Sequence, residues 1–384
     1  MMVLDFGILG PLELAVNGVP LPLGTPKQRA VLAMLVMSRN RPVSSESLVN
    51  AAWEQFPPPE PKAGLHSYIS NLRRLLASVG LDSKTVLASA PPGYRLAIAD
   101  EDCDIGRFVS HKAAGVQAAA AGQFEQASRH LSDALAQWRG PVLDDLRDFE
   151  FVSPFATALV EDKVVAHTAH AEAEIACNRG HAVIGQLEAL VGEYPYREPL
   201  WTQLITAYYV SERQSDALEA HQRLKSTLAD DLGIDPGPSV RALHERILRQ
   251  EPLNPRKIAQ TTAVHTIAGI DARTAVGTQV AMAYLHATTG PISGEHGRHP
   301  LHAAATRIGR LPDNDIVLDN ANVSRHHAVI IDTGSTYVIT DLHSANGVFV
   351  GNRRIRGTAT LSPGDRIRIC DHEFVLEVHQ AAPH

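Results

Sequence analysis

Cysteine is scarce in this chain: there are three in 384 residues. Cys103, Cys177 and Cys370 are odd in number and far apart, which excludes a disulfide framework and the paired spacing of a zinc site. A reducing cytoplasm is the expected setting. Long apolar runs are missing too. None approaches the roughly 18 residues of a membrane-spanning helix, and no basic-then-apolar leader opens the chain. A soluble protein without direct membrane insertion is expected, so any membrane contact would go through a partner.

An excess of positive charge is also lacking. The formal net charge is −7, so nucleic-acid binding would have to come from a local surface. Catalytic signatures are absent as well. Gly24-Thr25-Pro26-Lys27 lacks the G-x-x-x-x-G-K-[ST] frame that wraps a nucleotide, and there is no H-E-x-x-H, no G-x-S-x-G and no kinase signature. The carboxylate pairs Asp144-Asp145, Asp230-Asp231 and Glu172/Glu174 suit acidic helix ends. Neither an enzyme nor a cofactor or metal is expected. What the length does require is more than one core, since about 150 residues make a domain and the chain would then hold two or three.

The most informative stretch present is RIGRLPDNDIVLDNANVSRHHAVIIDTGSTYVITDLHSANGVFVGN, residues 307–352. Short apolar runs (Ile316–Leu318, Ala328–Ile331, Tyr337–Ile339, Val348–Val350) alternate with clusters of Asp, Asn, Gly and Ser, which predicts a small all-β sandwich. Gly309-Arg310, Ser324-Arg325-His326-His327 and Asn346-Gly347 fall in the loops, where a sandwich displays binding groups. A guanidinium fork, a hydroxyl and a carboxamide together suit a phosphate on an extended peptide. Adjacent His326 and His327 point to opposite faces of an extended segment, which makes a poor metal chelate.

Spaced this way, GR, then SRHH, then NG resembles the forkhead-associated family of phosphothreonine readers over about the last quarter of the chain. The resemblance implies that Arg310, Ser324 and Asn346 contact the ligand with help from Arg325, while Gly309, His327 and Gly347 shape the site. Ala345 departs from the family, which often has Ser or Thr before the Asn; the missing contact would lower affinity without changing the ligand class.

At the other end, Leu12, Leu14 and Val16 alternate before an Asn17-Gly18 hairpin turn. Thr25-Pro26 then signals a helix start, Val43-Ser44 opens a second helix that ends by Pro57-Pro58-Pro59, and a third is amphipathic. On that third helix Leu65, Tyr68, Ile69, Leu72, Leu75 and Leu76 share a core face. The opposite face carries Ser67, Ser70, Asn71 and Arg74, with Arg73 on its flank and Lys62 at its start. Hydroxyls, an amide and cations without a carboxylate suit base edges and phosphates. Val86-Leu87 and Tyr94–Ile98 flank Pro91-Pro92-Gly93 as a hairpin that also carries Arg95.

TPKQRAVLAMLV, LHSYISNLRRLL and PPGYRL resemble the OmpR-type winged helix of the actinobacterial activators called SARPs. The resemblance implies that the third helix enters the major groove of double-stranded promoter DNA with the hairpin as the wing. Residues 1–100 hold nine Lys/Arg against seven Asp/Glu, so affinity per subunit is modest and paired sites are expected.

From Asp104 to about Gln250 the chain is rich in Ala and Leu with helical periodicity, broken at Gly122, Pro195 and Ser211, which predicts tandem helix hairpins of tetratricopeptide-like type. Trp138, Trp201, Tyr208 and Tyr209 are expected in its core. The run from Arg197 to Leu248 resembles the bacterial transcriptional activation domain of SARPs. That resemblance implies protein contacts, with RNA polymerase, a homodimer partner or the rest of the chain.

The expectation is therefore a multidomain α+β protein. It has a winged helix over residues 1–100, an all-α array over 101–250, a linker over 251–276 and a forkhead-associated sandwich over 277–384. By resemblance it is a transcriptional regulator that docks on a phosphothreonine-bearing protein, a Ser/Thr protein kinase. The alternative is a phosphopeptide-dependent adaptor whose winged helix does not bind a promoter.

Overall fold

The computed structural model describes residues 3–54, 56–274, 282–289, 297–301, 305–312, 314–333, 336–355 and 357–379. The chain forms two compact units. One joins residues 1–109, 137–162 and 269–384; the other joins 110–136 and 163–268.

The first unit opens with a three-stranded antiparallel sheet, β1 (Leu4–Gly7), β2 (Glu13–Val16) and β3 (Val19–Pro20). Val16 pairs with Val19 across Asn17-Gly18, the expected tight turn, with both turn residues at positive φ. α1 (Pro26–Met37) starts where Thr25 caps it, its hydroxyl accepting from the Gln28 N–H. Val43-Ser44 is not itself helical. It forms strand β4, and Ser44 then caps α2 (Ser45–Trp53). That helix stops at Glu54, which takes a positive φ before the proline run is reached.

α3 (Pro61–Ser78) buries Leu65, Ile69, Leu72 and Leu76, and Tyr68 stacks on Trp53 at 5.4 Å. Val86 closes a one-turn helix α4 (Ser83–Val86) instead of opening a strand, because Asp82 caps that turn. β5 (Leu87–Ala90) and β6 (Gly93–Leu96) make the hairpin around Pro91-Pro92, and β4 adds to β6 as a third strand.

The same unit holds the C-terminal sandwich. One sheet has the order β10-β9-β11-β12-β15, from β9 (Ala305–Gly309), β10 (Ile316–Val317), β11 (Ala328–Asp332), β12 (Tyr337–Asp341) and β15 (Thr358–Leu361). The other has the order β14-β13-β16-β17-β7-β8, from β7 (Met282–Thr289), β8 (Arg298–Pro300), β13 (Val348–Val350), β14 (Arg353–Arg354), β16 (Arg366–Ile369) and β17 (His372–His379). Alternate residues of both sheets, among them Leu285, Ile330, Ile339, Ile367 and Phe374, fill the core between them.

The second unit is helical. α5 (Asp104–Ala120), which begins in the first unit, is followed by α6 (Phe124–Leu135), α7 (Val152–Ala176), which also begins there, α8 (Gly180–Glu193), α9 (Glu198–Val210), α10 (Gln214–Leu232), α11 (Pro238–Leu248) and α12 (Pro255–Thr274), whose last turn returns to the first unit. Trp201 and Tyr208 are buried in the cluster that α7–α11 share, and Tyr209 packs against it. α12 occupies most of the stretch read as a linker. Ala259 and Ala263, four residues apart, pack on Val116, Phe124 and Leu131, so small residues suffice for a packed face where no large apolar periodicity is visible. Among the described residues no helix is long and apolar enough to cross a membrane.

Glu172 makes the stability of this unit depend on pH. Its carboxylate accepts from Gln203 Nε2 at 3.0 Å and lines a cavity of about 200 Å³. Burial pushes its pKa up from 4.5 to about 8. Between those values the folded chain keeps a proton that the unfolded chain gives up, so stability falls as pH rises through that window. Glu172→Gln is expected to raise the thermal midpoint by a few degrees at pH 8 and to leave it nearly unchanged at pH 5, as circular dichroism melts would record.

Candidate functional site

Three loops of the sandwich are laced together at one end. The Arg310 N–H donates to the Ser324 carbonyl at 3.0 Å and the Leu311 N–H to the Arg325 carbonyl at 3.2 Å. Ser324 Oγ accepts the Ala345 N–H at 3.1 Å, and Asn346 Nδ2 donates to the Asn322 carbonyl at 2.7 Å. Arg310, Ser324 and Asn346 therefore stand on adjoining loops.

His327 ties the loops from beneath and is fully buried. Its Nδ1 accepts from the Ser324 N–H at 3.1 Å, and its Nε2 faces the Gly347 carbonyl at 3.2 Å. That pairing calls for the tautomer with the proton on Nε2. Burial lowers its pKa below the usual histidine range, which keeps the ring neutral. Two glycines make the close approach possible. A Cβ on Gly309 would run into the Arg325 carbonyl and Asn314, and Gly347 adopts φ +76° against the Arg354 side chain.

The guanidinium of Arg310 is exposed and has no partner among the described residues. Arg325 is exposed too, while Ser324 is half-buried. Ala345 contributes through its backbone, since the N–H that reaches Ser324 needs no hydroxyl side chain.

Sequence reasoning missed Asn314 and Asn322. Asn314 Nδ2 donates to the Leu311 and Arg325 carbonyls at 2.8 and 2.9 Å, and Asn322 supplies the carbonyl that Asn346 and the Cys370 thiol both approach. Asn in a loop between strands was the available signal, because its side chain imitates backbone hydrogen bonding.

Behind the Ser324–His327 loop lies a cavity of about 460 Å³ whose lining includes Arg325, His326, Met34, Met37, Asn50 and Glu54. Nearby, Arg41 pairs with Asp332 at 2.7 Å, and the Asp332 side chain is 8% exposed. Residues of α1, α2 and the α1–β4 loop thus share a wall and an ion pair with the sandwich.

On α3, Lys62, Ser67, Ser70, Asn71 and Arg74 are exposed, as is Arg95 on β6. Arg74 Nη1 reaches Asn71 Oδ1 at 3.4 Å, and Asn71 Nδ2 donates to Gln28 Oε1 at 3.2 Å. Arg73 differs from the rest. It donates to the Leu87 carbonyl at 2.7 and 2.9 Å and to Ser89 Oγ at 3.1 Å, and it lies 5.7 Å from the Tyr94 ring centroid. Those bonds commit it to holding the hairpin against α3.

Three family profiles match successive parts of the chain. They are "Transcriptional regulatory protein, C terminal" over residues 20–96, "Bacterial transcriptional activator domain" over 103–248 and "FHA domain" over 306–370. The transcriptional regulatory protein EmbR of Mycobacterium tuberculosis is 67% identical over 375 residues, covering 98% of this chain and 95% of that relative. MoaR1 of the same organism is 55% identical over 251 residues, 65% of this chain and 81% of its own length. The solved structure of M. tuberculosis EmbR in complex with a low-affinity phosphopeptide superposes with a TM-score of 0.95 at 65% identity, covering 100% of both chains. The chain therefore belongs to the SARP family of transcriptional regulators, in the EmbR-like branch that ends in a forkhead-associated domain.

Proposed function

We propose that this regulator binds promoter DNA through α3 and the β5–β6 hairpin, and that its sandwich captures a phosphothreonine on a Ser/Thr protein kinase in the cytoplasm. Arg310 takes the phosphate oxygens, with Ser324 and Arg325 adding donors, and Asn346 aligns the peptide backbone. Asn346 Nδ2 is held by the Asn322 carbonyl and approaches the Cys370 sulfur, while its Oδ1 enters none of the hydrogen bonds among the described residues and is left to accept a peptide N–H. The observation that supports the reading is the lacing, through Ser324, Ala345 and His327, of the three loops that carry Arg310, Ser324 and Asn346.

Docking brings the regulator to the kinase, and phosphorylation of the regulator then changes its DNA binding. Arg325 and His326 line a cavity together with residues of α1 and α2, so the sandwich adjoins the DNA-binding domain. On the DNA side Ser67, Ser70, Asn71 and Arg74 face base edges and phosphates, Lys62 and Arg95 meet the backbone, and Arg73 positions the wing. The central helices offer contacts to RNA polymerase or to a second copy of the chain.

Asn71→Ala/Arg74→Ala tests the DNA half. In a gel-shift titration on a regulated promoter, the double variant is expected to bind on the order of tenfold or more weakly, as losses of about 1–3 kcal/mol per base contact imply. Undiminished promoter binding would favour an adaptor that uses its phosphopeptide site alone.

A further inference from the structure

The α5–α6 hairpin carries a cluster of side chains that phosphate reading and DNA binding leave unused. His111 sits on α5; His130 and Asp133 sit on α6, one turn apart. One ligand atom from each lies within 4.8 Å of the others. The two imidazole centroids are 6.1 Å apart with an interplanar angle of 32°.

The sequence builds this arrangement in simple steps. Gly122, at φ +75°, turns the chain between the helices. His111 and Asp133 lie equally far from it on either side, so two antiparallel helices of equal rise bring them level. The three-residue spacing then puts His130 and Asp133 on one face. Gly115, one turn beyond His111, lets the helices close up, since a Cβ there would sit 2.6 Å from Leu131 Cγ. Both histidines are half-buried and Asp133 is exposed, so an ion can enter from solvent without disturbing the core.

We propose that His111, His130 and Asp133 form a binding site for a divalent first-row transition ion. Two imidazole nitrogens and one carboxylate oxygen suit zinc and its neighbours, whereas calcium and magnesium prefer oxygen alone. Metal–nitrogen bonds of about 2.0–2.1 Å place tetrahedral ligand atoms closer together than the present spread, and rotation of these side chains brings them in. Among the described residues His130 Nε2 makes a long contact, 3.4 Å, to Gln126 Nε2, which a metal bond displaces. Three protein ligands leave at least one position to water. The bound ion pins the first hairpin of the helical unit.

The test titrates Zn²⁺ into the full-length protein by calorimetry, follows Co²⁺ by its visible d–d absorption, and records the thermal midpoint with and without ion. One saturable ion per chain and a midpoint raised by a few degrees are expected. His111→Ala and His130→Ala should each weaken binding by at least the roughly tenfold to hundredfold that loss of a supporting partner costs. His265→Ala, an exposed histidine on α12, should change nothing. The proposal is overturned if the wild-type chain shows no saturable site, or if the His111→Ala/His130→Ala double variant, folded by circular dichroism, keeps the same affinity and stoichiometry.

Discussion

Arg310→Ala is expected to weaken capture of a phosphothreonine peptide on the order of a hundredfold, to the level of the unphosphorylated control. Losing one partner of a charge-assisted pair costs about 2–5 kcal/mol, and every 1.4 kcal/mol is about a tenfold change. The guanidinium is exposed and makes no bond among the described residues, so its removal leaves the fold and the thermal midpoint unchanged. Arg310→Lys should recover part of the loss, because an ammonium keeps the charge but not the two parallel donors. Fluorescence polarisation with matched phosphorylated and unphosphorylated peptides measures both variants. Equal affinity of wild type and Arg310→Ala would remove phosphate reading from this loop.

Ser324 and Asn346 should respond differently, since each also holds the site together. Ser324 Oγ receives the Ala345 N–H, and Asn346 anchors to Asn322. Replacing either one loosens a loop as well as removing a proposed ligand group. Arg310 is the cleaner probe because it has no such second duty.

The sequence motifs pointed to three loops that the structure laces together, because an Arg, a Ser-x-x-His and an Asn-Gly have few reasons to recur at such spacing between strands. What they could not reveal was how the loops are joined. The bond from Ala345 to Ser324 runs through a backbone N–H that every non-proline residue carries, so the Ala at 345 looked like a loss when its main chain still makes a link. Arg73 shows the opposite difficulty. Its type and helical position matched a phosphate contact, and only the Leu87 carbonyl reveals its bond to the hairpin. α12 escaped notice because Ala259 and Ala263 pack by closeness and not by bulk. Val43-Ser44 was read as helix because a capping serine marks a helix start equally well when the residue before it pairs in a sheet.

Asp104 carries the largest expected effect on stability. Its side chain is 3% exposed, and its carboxylate accepts the Ile8 N–H at 2.8 and 3.0 Å and the Leu9 N–H at 2.8 Å. It also accepts the Ile105 N–H at 2.7 Å and faces Arg139 Nη2 at 3.3 Å. One carboxylate thus satisfies the chain just after β1 and caps the start of α5. Asp104→Ala would leave the buried Ile8 and Leu9 N–H groups without their acceptor, a loss of about 1–3 kcal/mol for each, while Arg139 keeps its bond to Glu13 at 2.6 Å. Asp104→Asn keeps one acceptor oxygen and should lose less. Guanidinium denaturation of the full-length protein would show a lower midpoint in the order wild type, Asp104→Asn, Asp104→Ala. Because Asp104 touches neither α3 nor the Arg310 loop, phosphopeptide affinity measured on the folded fraction should stay at the wild-type value. A matched fall in both would mean that the anchor at Asp104 also shapes the phosphate-reading loops.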